Sequence, residues 1–246
     1  MNMILDNLSL FIKEDLEGDI NIRGYKIKIS IENYPFRLKV SHLAKPVKYI
    51  LQELFPEKYK VSEKEQEFIN MGYKIDKLAG YIWNELANFY REDIVYLTID
   101  LSDFNPPLVN LGKKLVSIFS LIFSLGLKPH PYSSEIRGES PNIPLNISVI
   151  KPDILLEGKY KVIGDVKYGT FRNEYKNVIA AYAMIYESIK KEDIDYGILI
   201  HIDHNFDINL YFFKINDRIR SETIELIKNK YEEINRALKD FNSPQY

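Results

Sequence analysis

Lys151-Pro152-Asp153-Ile154-Leu155-Leu156-Glu157-Gly158-Lys159-Tyr160-Lys161-Val162-Ile163-Gly164-Asp165-Val166-Lys167-Tyr168-Gly169 is the stretch on which the fold turns. It reads as two strands, Ser148 to Glu157 and Tyr160 to Lys167, joined at Glu157-Gly158-Lys159. Side chains alternate across a strand, so Asp165 and Lys167 share one face while Val162, Gly164 and Val166 take the other. A hairpin turning at Gly158 folds Asp153, just after Pro152, back beside Asp165. Two carboxylates and an ammonium then meet on an otherwise apolar sheet, where unpaired charge is expensive.

That trio has a chemical use. Two carboxylates hold a hard divalent cation such as Mg²⁺, which keeps waters and accepts phosphate oxygens. The cation makes a nucleophile of bound water and neutralises charge as a phosphodiester is attacked in line. Lys167 would orient that water or stabilise the developing negative charge. A buried ion pair serving only the fold is the plainer alternative, because a bare Asp-x-Lys is common. The order Pro-Asp, hairpin, Gly-Asp-Val-Lys, then helix is much rarer and favours chemistry.

Outward from the hairpin, Tyr132 to Arg137 reads as a strand, and Asn173 to Lys190 as a helix with Val178, Tyr182 and Ile185 on one stripe. Strands follow at Tyr196 to Asp203 and Leu210 to Ile215, then a helix from Arg218 to about Phe241. Upstream, Arg23 to Ile31 is a strand and Val47 to Phe55 a short helix closed by Pro56. Ser62 with Glu65 is a capping box opening a helix to about Tyr90, with Gly72 a candidate break. Val95 to Asp100 reads as a strand, and Leu108 to Leu125 as a helix too apolar all round for the surface, buried between lobes. The chain is therefore α/β: a mostly helical N-terminal lobe, 1–128, lends one helix to the site of a mixed-sheet core, 129–246.

Composition removes several classes. With 246 residues, 46% apolar and 28% charged, the chain is of ordinary globular type rather than disordered or fibrous. The absence of cysteine excludes disulfides, thiol nucleophiles, thiolate zinc and cysteine-held iron–sulfur clusters. A net charge of −2 gives no global basic field, so nucleic acid would need a local cleft. Lys159, Lys161, Arg172 and Lys176 flank the proposed site and suit a phosphate backbone. Among 18 Tyr and 13 Phe, Tyr168 and Tyr182 are the rings to watch for contact with bases. No Gly-rich phosphate loop, Ser–His–Asp order or nucleotide fingerprint appears. His201-Ile202-Asp203-His204 lacks a third ligand and reads as a solvent-facing strand end. The longest apolar stretch, Leu115 to Leu127, is interrupted by serines and falls short of a spanning helix. The first residues carry early acids and no small-residue cleavage site, so a cytoplasmic location without membrane association is expected.

The hairpin resembles the motif of the PD-(D/E)xK nuclease superfamily, with Asp153 in the first acidic motif and Asp165-Val166-Lys167 in the second. More narrowly, the chain resembles the RecB-like nucleases, and among them the CRISPR-associated Cas-four-type exonucleases of the archaeal subtype I-A branch. Gly80-Tyr81-Ile82-Trp83-Asn84-Glu85 sits where those proteins carry a glycine, three residues and a metal-binding histidine on a helix. Lys167-Tyr168-Gly169 followed by Tyr182 to Glu187 resembles their strand-to-helix passage, and Val40 to Lys48 their N-terminal segment. The resemblance implies a restriction-endonuclease-like mixed sheet flanked by helices and Mg²⁺- or Mn²⁺-dependent hydrolysis of DNA. It further implies trimming of DNA ends before spacer integration, alongside the CRISPR integrase.

In that reading Asp153 and Asp165 bind the cation, Lys167 assists the attacking water, and Asn84 or Glu85 completes the shell. Tyr168, Arg172, Lys176 and Tyr182 contact DNA. The chain departs from the family in three ways. The four cysteines of the family's iron–sulfur cluster are missing, so packing or ion pairs must hold the two termini together. Asn84 replaces the histidine, and Val178 stands where a glutamine is usual, with Asn177 beside it. Two rivals follow: a decayed nuclease fold serving as a DNA-binding scaffold in a CRISPR complex, and a restriction or repair endonuclease of the same superfamily.

Overall fold

A computed structural model describes residues 38–56, 60, 62–91, 97–138 and 149–242. The strand expected over 23–31 lies outside these residues. In chain order, a 3₁₀ turn (Val40–Ala44) precedes α1 (Val47–Leu54), α2 (Glu63–Arg91) and α3 (Pro106–Phe123). Three two-residue strands follow, β1 (Lys128–Pro129), β2 (Ile136–Arg137) and β3 (Val149–Ile150). The remainder is β4 (Ile154–Glu157), β5 (Val162–Tyr168), α4 (Tyr175–Lys190), β6 (Tyr196–Ile202), β7 (Ile208–Lys214) and α5 (Asp217–Asn242).

The hairpin forms as its sequence requires: β4 and β5 pair antiparallel, with Ile154 opposite Gly164 and Leu156 opposite Val162. The sheet order is β1-β4-β5-β6-β7, and only β5 and β6 run parallel. Parallel neighbours need a crossover, which α4 supplies. β5 is thus central and covered on both faces. Ile154, Leu156, Val162, Val166, Ile198 and Ile200 pack toward Ile75, Leu78 and Ile82 of α2 and Leu111 and Leu115 of α3. Leu155, Ile163, Leu199 and Phe213 pack on the other face with Val178, Ile179 and Tyr186 of α4 and Ile227 and Tyr231 of α5. The fold is therefore a mixed α/β sheet sandwiched by helices, with a helical N-terminal part.

Local signals place most of these elements. Ser62 and Glu65 close their capping box, Ser62 N–H donating to the Glu65 carboxylate at 2.9 Å and Glu65 N–H to Ser62 Oγ at 3.3 Å. α2 runs on through Gly72, where a glycine costs helix propensity without breaking hydrogen bonds. α3 starts two residues earlier than expected, because Asn105 caps it by accepting from Leu108 N–H at 3.2 Å and two prolines fill its first turn. Its length and apolar composition would suit a bilayer. Its Leu108, Leu111, Leu115 and Phe119 stripe is instead buried in the core shared with α2.

Other expectations are corrected. Among the described residues, Leu97 to Asp100 form no strand, so that part of the Val95–Asp100 strand is not seen. The strand expected over Ser148–Glu157 breaks at Lys151-Pro152-Asp153, where Pro152 has no N–H for a ladder. The Tyr132–Arg137 strand shrinks to Ile136–Arg137, paired with β3.

The N-terminal segment is tied to the C-terminal helix by packing and polar contacts. Leu38 N–H donates to the buried Tyr231 hydroxyl at 3.2 Å, and Lys230 Nζ donates to Lys45 carbonyl at 3.4 Å. Glu53 gathers Lys39 at 2.5 Å, Lys45 at 2.7 Å and the buried His42 at 3.2 Å. Desolvation would raise the Glu53 carboxyl, but hydrogen bonds from Lys39 and Lys45 outweigh it and hold it at about 2.

Candidate active site

β4 begins at Ile154, so β5 beyond Gly164 has no β4 partner for its ladder. Asp153 fills that gap with a side chain: its Oδ2 accepts the Val166 N–H at 2.8 Å, and its Oδ1 accepts the Ser133 hydroxyl at 3.1 Å. Asp165, 2% exposed, lies on β5 in ion-pair contact with Lys167 Nζ through its Oδ2. Hairpin and register thus bring Asp153, Asp165 and Lys167 together. Burial pushes the Asp153 carboxyl well above the ordinary aspartate range, and the charge of Asp165 pushes it further. Burial opposes the charge on Lys167, but the Asp165 and Asp153 carboxylates outweigh it and hold the ammonium above the usual lysine range. One cation faces two carboxylates, so the ionised trio is one positive charge short.

A hard divalent cation fits that donor set if water and phosphate oxygens fill its other positions. Among the described residues no third His, Asp or Glu joins the pair to form a ready-made cage. Asn84 does face this end of the sheet from α2, but its Oδ1 accepts the Tyr132 backbone N–H at 2.8 Å. Glu85 is turned about 100° further round the helix, away from that contact. The expected shell-completing role of Asn84 or Glu85 therefore finds no support in their placement.

α2 instead contributes a face that sequence reasoning missed. Asp76, Gly80 and Asn84 recur at i, i+4 and i+8, and Tyr132 lies along all three. Its backbone N–H bonds Asn84, its ring packs on Gly80, and its hydroxyl donates to Asp76 Oδ1 at 2.8 Å. A Cβ at Gly80 would sit 2.9 Å from that ring, so the approach needs glycine. Trp83 adds an indole N–H donated to His130 carbonyl at 2.8 Å. Desolvation raises the Asp76 carboxyl, and the charge of Asp153 raises it further. Ser133 then holds a left-handed backbone, φ +50°, and its N–H donates to Asp153 carbonyl at 3.1 Å. Asp76 was findable by helical arithmetic from Gly80; Tyr132 and Ser133 carry no sequence signal toward Asp153.

The remaining candidates divide. Burial raises the Tyr182 hydroxyl, followed by the charges of Asp165 and Asp153, so this residue of α4 lies within electrostatic reach of the acid pair. Tyr168 points to the opposite sheet face from Lys167 and stacks on Phe68 at 5.1 Å between centroids. The charge of Arg172 bears on the Tyr175 hydroxyl and, least among its influences, on that of Tyr49 rather than on the acid pair. Lys176 leans to Glu222 of α5 at 3.8 Å rather than to the acid pair. Lys159 and Lys161 lie at the hairpin end of β5, about 20 Å from Lys167 along the strand, and Lys161 is paired with Glu192 at 2.6 Å.

His201 corrects its expected solvent position. It is buried opposite Lys167 in the β5–β6 register, with Nε2 at 2.7 Å from Gly169 carbonyl. Asn177 donates to Thr223 Oγ1 of α5 at 3.1 Å, and Val178 is fully buried, so neither stands in for the glutamine of related proteins.

Residues 123–240 match the family model described as CRISPR-associated exonuclease Csa1. Over that segment the chain is similar to this family. The match spans Asp153, Asp165 and Lys167 and agrees with the resemblance read from the hairpin, that of a CRISPR-associated PD-(D/E)xK nuclease. No curated protein matches the chain. Among solved structures, SSO0001 is 12% identical with a TM-score of 0.28, over 68% of this chain and 87% of that one. An alkaline exonuclease from Laribacter hongkongensis is 11% identical with a TM-score of 0.26, over 68% and 91%. At such scores the description of the fold rests on its own strand order and register.

Proposed function

We propose that this protein is a Mg²⁺- or Mn²⁺-dependent deoxyribonuclease that trims DNA ends in the cytoplasm, with the CRISPR integrase as its partner. The observation that carries the reading is the convergence of Asp153, Asp165 and Lys167 on one strand end, inside the segment that matches an exonuclease family. A divalent cation held by Asp153 and Asp165 would supply a nucleophile from bound water and neutralise charge on the phosphate. Lys167 keeps its proton at neutral pH, because its neighbours hold it above the usual lysine range. It therefore acts as a fixed positive charge on the phosphate oxygens as negative charge develops there, not as a proton acceptor. Tyr182, raised by burial and then by both acids, also keeps its proton and serves as a hydrogen-bond donor at the same place.

A second reading has one observation in its favour. Asn84, standing where related nucleases carry a metal-binding histidine, has its side-chain oxygen occupied in accepting the Tyr132 backbone N–H. That suits a scaffold that grips DNA without cutting it. Digestion of end-labelled linear and closed-circular DNA with Mg²⁺ or Mn²⁺ separates the readings. Loss of label from linear DNA with circles intact is the expected result. Cut circles would point to an endonuclease of the restriction or repair kind. No cleavage of either substrate by folded protein would favour the scaffold.

A further inference from the structure

The contacts around Asp153 have a direction. Its carboxylate is met by two donors, the Val166 N–H and the Ser133 hydroxyl, and only the first comes from the sheet. The second comes from residues 130–134, the loop between β1 and β2, which packs against α2. Trp83 indole N–H, Asn84 Oδ1, the Gly80 surface and the Asp76 carboxylate all hold that loop. At its end Ser133 sits in the left-handed region, which a non-glycine residue adopts only where its surroundings fix it. The Ser133 N–H to Asp153 carbonyl bond and the Ser134 hydroxyl to Pro131 carbonyl bond, at 3.1 and 2.5 Å, complete the turn.

We propose that the 130–134 loop is a positioning device for the cation site: anchored on α2 by the Asp76–Tyr132–Asn84 clamp, it fixes the Asp153 carboxylate through the Ser133 hydroxyl. The helix position that holds a metal-binding histidine in related nucleases is then used here to hold the loop that holds a ligand. Ser133 and Tyr132 are positioning residues, since the first acts through Asp153 and the second through the loop that carries Ser133. Hydrogen bonds of this kind orient a carboxylate for its metal, and their loss weakens metal affinity by roughly 10- to 100-fold.

The inference rests on the proposed cation site, and its test keeps the two separable. Ser133→Gly removes the hydroxyl while suiting a left-handed backbone, so the fold is retained. Titration calorimetry with Mn²⁺ alone is expected to show affinity at least about tenfold weaker than wild type, with an unchanged or higher melting temperature. A purely structural role for Ser133 predicts wild-type affinity instead, and that result overturns the proposal. The single tryptophan reports the anchor independently. In metal-free protein, Tyr132→Phe is expected to shift the Trp83 indole N–H resonance and to weaken Mn²⁺ binding as Ser133→Gly does. An unmoved resonance with unchanged affinity overturns the clamp. A wild-type protein that binds no Mn²⁺ removes the cation site itself and the proposal with it, a different outcome from wild-type affinity in the Ser133→Gly variant.

Discussion

Replacing Lys167 with alanine is expected to slow DNA cleavage by about 10²- to 10³-fold while leaving DNA affinity nearly unchanged. The lysine lies in ion-pair contact with Asp165 at the strand end where the acid pair converges, and its neighbours keep it charged. An interaction that strengthens only as charge develops on the phosphate changes the rate and not the binding. Single-turnover cleavage of an end-labelled oligonucleotide at saturating Mn²⁺ reads the rate, and fluorescence anisotropy with the same oligonucleotide in Ca²⁺ reads the affinity. Lys167→Arg keeps the charge on a planar, wider group and is expected to recover only part of the rate. Equal loss of rate and affinity would mean that Lys167 grips the backbone rather than stabilising the reaction.

Asp153→Asn is expected to make the metal-free protein more stable, by about 1–3 kcal/mol at pH 7, while abolishing cleavage. For a chain of this size that raises the melting temperature by roughly 3–10 °C. The reason is the surplus of buried negative charge: burial first, then Asp165, holds the Asp153 carboxyl well above its ordinary range. The amide keeps an acceptor for Val166 N–H and removes the charge. The sign with pH follows. A carboxyl raised in the folded state binds its proton more tightly there than in the unfolded chain, where its pKa is about 3.9. Its contribution to stability is therefore greatest below about pH 4 and is lost as pH rises through the folded value. Thermal melts in EDTA between pH 4 and 8 should fall with pH more steeply for wild type than for Asp153→Asn. With Mn²⁺ at 100 times its dissociation constant, wild type should regain about 2.7 kcal/mol and the order of the two should reverse or close. Parallel pH profiles for the two proteins in EDTA would show that Asp153 carries no such strain.

Part of the site is legible in the sequence, for local reasons. The hairpin at Gly158 and the Ser62–Glu65 capping box are written in neighbouring residues, and alternation alone puts Asp165 and Lys167 on one face. Asp153 needed only the hairpin register. The rest of the site is not local. The Tyr132 hydroxyl meets an acid 56 residues away, Asp76, and Ser133 meets one 20 residues away. Nothing in Pro131-Tyr132-Ser133-Ser134 announces either contact, because turn residues are chosen for the turn and not for what it touches. Leu97 to Asp100 shows the converse: the residue types suggest a strand, but a strand forms only with a partner, and among the described residues none is paired with it. His201 is buried for a similarly non-local reason. The aromatic cover over it, Phe171 at 5.4 Å and Tyr175 at 6.2 Å between centroids, comes from the turn after β5 and the start of α4, and it buries a strand end that looked solvent-facing.

The central claim is that Asp153 and Asp165 form one divalent-cation site. Calorimetric titration of metal-free protein with Mn²⁺, wild type against Asp165→Asn, tests it most directly. The expected result is a single site in wild type, with affinity lowered by at least about tenfold in the variant because one of two ligands has lost its charge. Equal affinity in the two proteins, or no binding in folded wild type, would contradict it.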